Sequence, residues 1–262
     1  MTVFAGVAVS VAALGVAGFA LERWADRRDA RIYQQRGSLV DVGGHRLFMR
    51  VTGERGPVVV LDAGLGHTSA TWSLVWPEVA RFARAVVYDR AGYGWSDPGP
   101  LPRTSAVIAD ELHTALARAG LPGPYALVGH SFGGLNMCAF AFKYPEEVAG
   151  LVLVDALSPS IEARNPGELR YFIGVNRVKY RFLALTARSG LLRALAATGR
   201  AGPTYIRRLP SESRTAALAG MLRRTYATAR DETEALRGGI AAVHAARRPL
   251  HVPVIVLAHG VP

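Results

Sequence analysis

The sequence predicts an α/β protein built on a mostly parallel, doubly wound sheet, and three observations carry that expectation. Apolar runs of strand length, Pro57–Leu61, Ala85–Tyr88, Tyr125–Val128, Val148–Val154 and Val254–Ala258, are interspersed with amphipathic helical patterns. Two of these runs pass into glycine-rich turns, Asp62–His67 and Gly129–Gly134, suited to carrying a strand over into a new direction. Between Leu157 and Pro249 the strand-like runs stop and arginine-rich helical segments take over. With 262 residues, half of them hydrophobic, the chain can bury one such sheet and an inserted helical unit.

The elements follow in order. Ser38–Val42 and His45–Thr52 read as a hairpin about the turn pair Gly43–Gly44. Thr104–Ala119 places Val107, Ile108, Leu112 and Leu116 on one helical face and stops at Gly120. Tyr125–Val128 enters Gly129-His130-Ser131-Phe132-Gly133-Gly134, after which a helical pattern runs to Tyr144. A sharp strand-to-helix turn needs glycine at 129 and 133, where a side chain would strike the turn or the neighbouring strand. Such a turn lifts the Ser131 hydroxyl out of the sheet. It also aims the Phe132 N–H and the helix N-terminus at a developing oxyanion. The loop Asp62-Ala63-Gly64-Leu65-Gly66-His67 can bring a second N–H, that of Leu65, to the same oxygen.

Beyond Ala85–Tyr88 stands Asp89-Arg90-Ala91-Gly92-Tyr93-Gly94. With that segment and the Ser131 turn, the chain resembles the α/β-hydrolase-fold serine hydrolases, from about Leu39 to Ala156 and again from Val252 to Gly260. The resemblance implies a nucleophile elbow made of Gly129, His130, Ser131 and Gly133, with Ser131 as the nucleophile and Leu65 and Phe132 as the oxyanion hole. It implies an ester or similar acyl bond as the target, a small and apolar acyl substrate, and no cofactor or metal. An aspartate nucleophile, as in related dehalogenases and epoxide hydrolases, is excluded by Ser131. Cofactor-free haloperoxidase or carbon–carbon hydrolase chemistry uses the same residues, and a ligand-binding or regulatory member with a dead site is the non-enzyme alternative.

A serine hydroxyl needs a base oriented by a carboxylate. In the family the order is serine, acid, histidine, with the histidine after an eighth strand. Asp155, at the end of Val148–Val154, is one position for the acid; the other lies after the seventh strand, where His259-Gly260-Val261-Pro262 offers no carboxylate. His259 is a candidate surrogate base, whereas His251 leads into the wrong end of its strand. The expectation is therefore a form truncated after the seventh strand, with low turnover, whose true histidine and acid could both lie beyond residue 262. His130 is expected to pack away from the serine hydroxyl. His45 and His113 are read as structural or solvent-facing, and Cys138, the sole cysteine, as a buried apolar residue.

Four regions result: 1–37 as anchor and basic linker, 38–157 as the first part of the core, 158–249 as a helical basic cap, and 250–262 as the seventh strand. Val3–Leu21 carries no charge, and at about 1.5 Å per residue it nearly matches a hydrocarbon core of about 30 Å. Arginines follow it, which favours an uncleaved single-pass anchor with the catalytic domain in the cytoplasm over an exported signal peptide or a buried helix. Segment 157–249 holds 17 Lys and Arg against 6 Asp and Glu, leaving 14 of each sign elsewhere, so the whole net charge of +11 resides there. Within it Gly190–Leu195 is expected to form an apolar wall of the cap. Nucleic acid is disfavoured as a partner, because aromatic interleaving is thin. Adhesion to an anionic membrane surface and a merely solvated arginine face remain the two readings of the charge.

Overall fold

Five strands run parallel through the middle of the protein: β3 (Val58–Asp62), β4 (Arg84–Tyr88), β5 (Tyr125–His130), β6 (Val148–Val154) and β7 (Val254–Leu257). The hairpin β1 (Ser38–Asp41) and β2 (Arg46–Thr52) adds two antiparallel strands beside β4. The structure, a computed structural model, describes residues 2–198 and 204–259, without the side chains of residues 2–12, 14, 35, 197, 204, 205, 212 and 223. Gly260–Pro262, the end of the expected seventh-strand region, lies outside the described residues.

Strand order is β1-β2-β4-β3-β5-β6-β7. The chain steps outward from β3 to β4, then crosses back to β5 on the other side of β3. That reversal opens a crevice above the C-terminal ends of β3 and β5, where open α/β sheets bind their ligands. All five residues of β3 are buried, as expected for a strand covered on both faces. One face is covered by α3 (Ser105–Arg118) and α4 (Phe132–Lys143), whose Ile108, Leu112, Leu116, Leu135 and Phe140 share the core with Val60, Val86 and Leu127. The short α2 (Trp76–Val79) lies on the other face, which encloses Val59, Leu61, Trp72 and Val87. At the far edge Val254–Leu257 is exposed throughout.

The insertion between β6 and β7 is helical: α5 (Ile161–Arg164), α6 (Pro166–Arg188), α7 (Leu191–Ala197), α8 (Thr204–Arg208), α9 (Ser211–Gly220) and α10 (Tyr226–Ala245), with a π-helical turn at Met221–Thr225. Asn165 caps α6 by accepting the Glu168 N–H at 3.1 Å. Leu191 and Leu195, expected to wall the cap, are exposed instead, because Leu192 and Arg193 of α7 are the residues turned toward the body.

The basic linker expected after the anchor is helical instead. Residues 2–33 form one helix, α1 (Thr2–Tyr33), with no break where the anchor was expected to give way to a linker. Among the described residues no helix is long and apolar enough to cross a membrane; the side chains of much of Val3–Leu21 lie outside them. The second half of α1 is docked. Glu22, Ala25 and Asp29, spaced for one helical face, are buried against the insertion. Arg193 of α7 binds Glu22 with Nε at 2.8 Å and Asp29 with Nη1 at 2.7 Å. A turn earlier, a Cβ on Gly18 would collide with the Ser189 carbonyl, so glycine lets α1 touch the α6–α7 turn.

Replacing Arg193 by alanine strands two carboxylates in that seat. The expected cost is about 2 kcal/mol, a roughly 30-fold larger population of detached α1. Limited trypsin digestion reads it as faster cleavage at Arg23, Arg27 and Arg28 while the core stays intact; unchanged cleavage rates would mean that the pair does not hold α1.

Candidate active site

Ser131 stands between β5 and α4 at φ 52° and ψ −117°, a conformation that L-residues rarely adopt and that costs on the order of 1–3 kcal/mol. The surroundings enforce it. A Cβ on Gly129 would come within 2.6 Å of the Gly133 carbonyl carbon and the Gly134 Cα. One on Gly133 would run into the carbonyls of Asp62 and Ala63, and one on Gly134 into the Ala156 side chain. Strand, helix and the loop after β3 therefore approach backbone to backbone, and only glycine permits it. The α4 helix starts at Phe132, two residues earlier than its sequence pattern suggested. Phe132 is thus its first residue, with an N–H that has no partner inside the helix.

The Asp62–His67 loop reaches this turn: a Cβ on Gly64 would stand 3.4 Å from Ser131 Cβ and 3.0 Å from His130 Nδ1. Arg90 sets the loop's orientation. Its Nη1 donates to the Ala63 carbonyl at 2.7 Å and its Nη2 to the Gly64 carbonyl at 3.1 Å. In a planar trans peptide the N–H opposes the C=O, so the Leu65 N–H faces away from the guanidinium. Tyr180 of α6 donates to the Leu65 carbonyl at 3.0 Å, and the Gly66 N–H donates to Tyr93 Oη at 3.1 Å. Among the described residues the Leu65 N–H itself has no acceptor. The Leu65 N–H thus lies on a loop that comes within contact range of the turn that ends in Phe132.

Arg90 is itself buried, and burial works against its charge. Glu232 of α10 and Asp62 compensate, binding it at 2.9 and 2.7 Å, and keep the guanidinium protonated well above its ordinary range. Asn136 Nδ2 occupies the other Asp62 oxygen at 2.9 Å, and Tyr93 Oη donates to Glu232. None of Asp62, Arg90, Asn136 or Glu232 was singled out as a site residue from sequence. Arg90 sits within the motif that carries the resemblance, but Glu232 lies 142 positions away and gave no signal.

Asp155 follows β6 with φ 42°, and its backbone is tied to the site because the Ser131 N–H donates to the Val154 carbonyl at 3.1 Å. Pairing of Val154 with Leu257 brings β7 alongside. Asp155 Oδ1 then accepts the His259 N–H at 2.7 Å and lies 2.8 Å from His259 Nδ1. A carboxylate acceptor requires the proton on Nδ1, leaving Nε2 with its basic lone pair. The His259 hydrogen bonds hold the Asp155 carboxyl below its usual range. Ser131 Oγ makes no hydrogen bond to a histidine among the described residues.

His130 was expected to point away from the hydroxyl and pack. Its Nδ1 is buried without a partner beside Gly64, and its ring stacks on His67 with centroids 6.2 Å apart. Burial, then the neighbouring His130, Lys179 and Arg90, push the His67 imidazole down to about 4. His45 and His113 lie elsewhere, on Glu111 at 3.0 Å and Glu147 at 2.9 Å. Cys138 is buried, and burial pushes its thiol up to about 11, so it remains a protonated, unreactive packing residue.

Residues 56–231 match the sequence profile of the alpha/beta hydrolase fold. The chain belongs to that family. Over 116 residues it is 40% identical to the "Putative carbamate hydrolase RutD" of Cronobacter sakazakii, covering 44% of this chain and 43% of that protein. The enol-lactonase of Burkholderia xenovorans LB400 superposes with a TM-score of 0.59 at 20% identity, over 84% of this chain and 80% of that one. Epoxide hydrolase A of Mycobacterium thermoresistibile does so with 0.61 at 23%, over 85% and 81%. These two structures speak for the fold alone. The chain spans 20%, 48% and 15% of the length of three further curated relatives.

Two outcomes follow from the buried groups. Truncating Glu232 to alanine leaves the guanidinium of Arg90 short of a carboxylate and is expected to cost about 3–4 kcal/mol in urea unfolding; a loss under 1 kcal/mol would remove Glu232 from the network. His67 binds a proton near pH 6.5 when unfolded but only near 4 when folded, so its share of stability is lost as pH falls through that window. That share is at most about 3 kcal/mol. His67→Gln should therefore shrink the stability difference between pH 7.5 and 4.5; an unchanged difference would show an ordinary, accessible imidazole.

Proposed function

We propose that this member of the alpha/beta hydrolase fold is a serine hydrolase that cleaves an ester or a similar acyl bond. The observation that carries the reading is Ser131: a strained residue at a glycine-packed turn, next to Gly64 and joined through its own N–H to Val154, the last residue of the strand before Asp155.

In this mechanism Ser131 Oγ attacks the acyl carbon while a histidine takes its proton. The amide N–H groups of Leu65 and Phe132 hold the carbonyl oxygen as it becomes negative, each donor contributing about 3 kcal/mol. The bond to the leaving alcohol breaks and the histidine returns the proton to that oxygen. Water then attacks the acyl-serine by the same route, releasing the acid and restoring the hydroxyl. Asp155 orients the histidine and stabilises its imidazolium. His259 is the histidine that Asp155 holds among the described residues. Arg90 acts at one remove, as a positioning residue that keeps the oxyanion loop facing the serine. The carbamate hydrolase name of the RutD relative fits acyl chemistry of this kind.

One observation favours a second reading, a ligand-binding member without turnover: the Ser131 hydroxyl is not hydrogen-bonded to a histidine. A fluorophosphonate probe separates the two, since it reacts with a serine only when that serine is activated. Labelling is expected in the wild type, to vanish in Ser131→Ala, and to fall at least 100-fold in Asp155→Asn, on the order of what loss of an orienting carboxylate costs. Labelling that survives Ser131→Ala, or none in a folded wild type, would overturn the hydrolase reading. His259→Ala assigns the base: lost labelling makes it His259, and retained labelling gives that role to another histidine.

A further inference from the structure

One face of α6 grips the oxyanion loop through Tyr180, and the opposite face is apolar and uncovered. Tyr171, Val175, Val178, Phe182 and Leu185 are between 46% and 74% exposed. At about 100° per residue these five positions fall within an arc of about 80°. A solvent-facing helix side would ordinarily be polar, so a continuous stripe of this kind marks a surface that meets something apolar.

The charges beside the stripe name the occupant. Arg170, Arg177, Arg181 and Arg188 all project from one flank of it, whereas the Lys179 ammonium turns inward to Tyr180 Oη at 3.5 Å. Arg177 is shared with Glu234, at 2.9 Å. Around the corner, the groove between α1 and the insertion carries six arginines, Arg23, Arg27, Arg31, Arg188, Arg224 and Arg230, against three carboxylates, Glu22, Asp26 and Asp231. An apolar stripe with a basic flank is how a helix lies in the headgroup region of an anionic bilayer, its arginines spreading to the phosphates. Two copies of this chain would set the same basic rims against each other, which argues against self-pairing. The stripe is also continuous with α1. Gly18 packs on the Ser189–Gly190 turn at the end of α6, and its neighbours Val16, Phe19 and Leu21 are exposed apolar residues.

We propose that the Tyr171–Leu185 face of α6, with its arginine flank, is a docking surface for an anionic lipid bilayer. This face is independent of the chemistry at Ser131. It lies across α6 from Tyr180, so the docked protein presents to the membrane the same helix that holds the Leu65 carbonyl.

The test uses the full chain and vesicles of phosphatidylcholine, with or without 30% phosphatidylglycerol. Cys138 is buried and unreactive, so a Phe182→Cys variant can carry an environment-sensitive NBD dye at one place. The expected result is a blue-shifted emission, quenched by doxyl-labelled lipid, with the anionic vesicles and not with the neutral ones. The same dye on Glu54→Cys, in an exposed loop of the core, should stay water-like. Charge removal in Arg170→Gln/Arg181→Gln/Arg188→Gln should weaken anionic vesicle binding on the order of 100-fold, given how strongly each cation near such a surface contributes. The proposal fails if the chain sediments with vesicles while the residue 182 dye stays water-like, for then α1 binds alone. It also fails if the dye shifts without lipid in a chain that runs as a dimer, or shifts equally with both vesicle types.

Discussion

The placement of Arg90 is the constraint on which the rest of the site depends. A guanidinium cannot lose its proton in a protein, so once buried it has to be matched by carboxylates and carbonyls from whatever surrounds it. Here those partners come from two distant parts of the chain: the consecutive Asp62 carboxylate and Ala63 and Gly64 carbonyls where β3 passes into its loop, and Glu232 on α10 of the insertion. Satisfying one cation therefore fixes the loop's peptide planes and the seat of the helical insertion together. The face of Phe132, 5.3 Å from the guanidinium carbon, extends the same contact to the first turn of α4. The two amides that would receive an oxyanion are thus organised around one charge, although neither touches it through its N–H.

The second constraint is close approach. Gly129, Gly133 and Gly134 let β5, α4, the loop after β3 and Ala156 meet at distances that any side chain would forbid. That contact is what holds Ser131 and Asp155 in their two positive-φ conformations, the only such non-glycine residues among those described. Strain is retained where the packing around it leaves no alternative, and here it sits at the two residues on which acyl chemistry would draw.

These differences in physical origin explain what could be read from the sequence. The strands were legible because each is a short, nearly unbroken apolar run, and Val148–Val154 was placed to the residue. The turn at Ser131 was legible because glycine spacing encodes it locally, and the residue stands there at positive φ. The Arg90–Glu232 pair was not, since nothing near either residue signals a partner so distant in the chain. The docking of the first helix was not legible for another reason. Hydropathy weighs Val3–Leu21 as a block, whereas docking is encoded in single positions: Gly18, Glu22, Ala25 and Asp29 line one side, and the partner charge of Arg193 is 171 residues from Glu22. Leu191 and Leu195 were read as an inner wall because apolar residues usually face inward, and they do not.

Their exposure bears on how the protein is organised as a whole. An amphipathic helix in a soluble domain turns its apolar side to the core, yet α6 has apolar residues on both sides, with Leu169, Tyr180 and Ala184 buried and the Tyr171–Leu185 stripe outside. Burying both sides would need a further layer, and the exposed side keeps its arginines at the rim rather than in the middle. The inner side meets the Asp62–His67 loop directly, because Tyr180 Oη bonds Leu65 and its ring lies against Gly66, where a Cβ would strike it. A load on the outer side of α6 is consequently two bonded contacts from the amide that would hold an oxyanion. Rigid helices transmit small shifts between packed faces. The surface chemistry of the insertion and the geometry of the Leu65 amide are therefore properties of the same 23-residue helix.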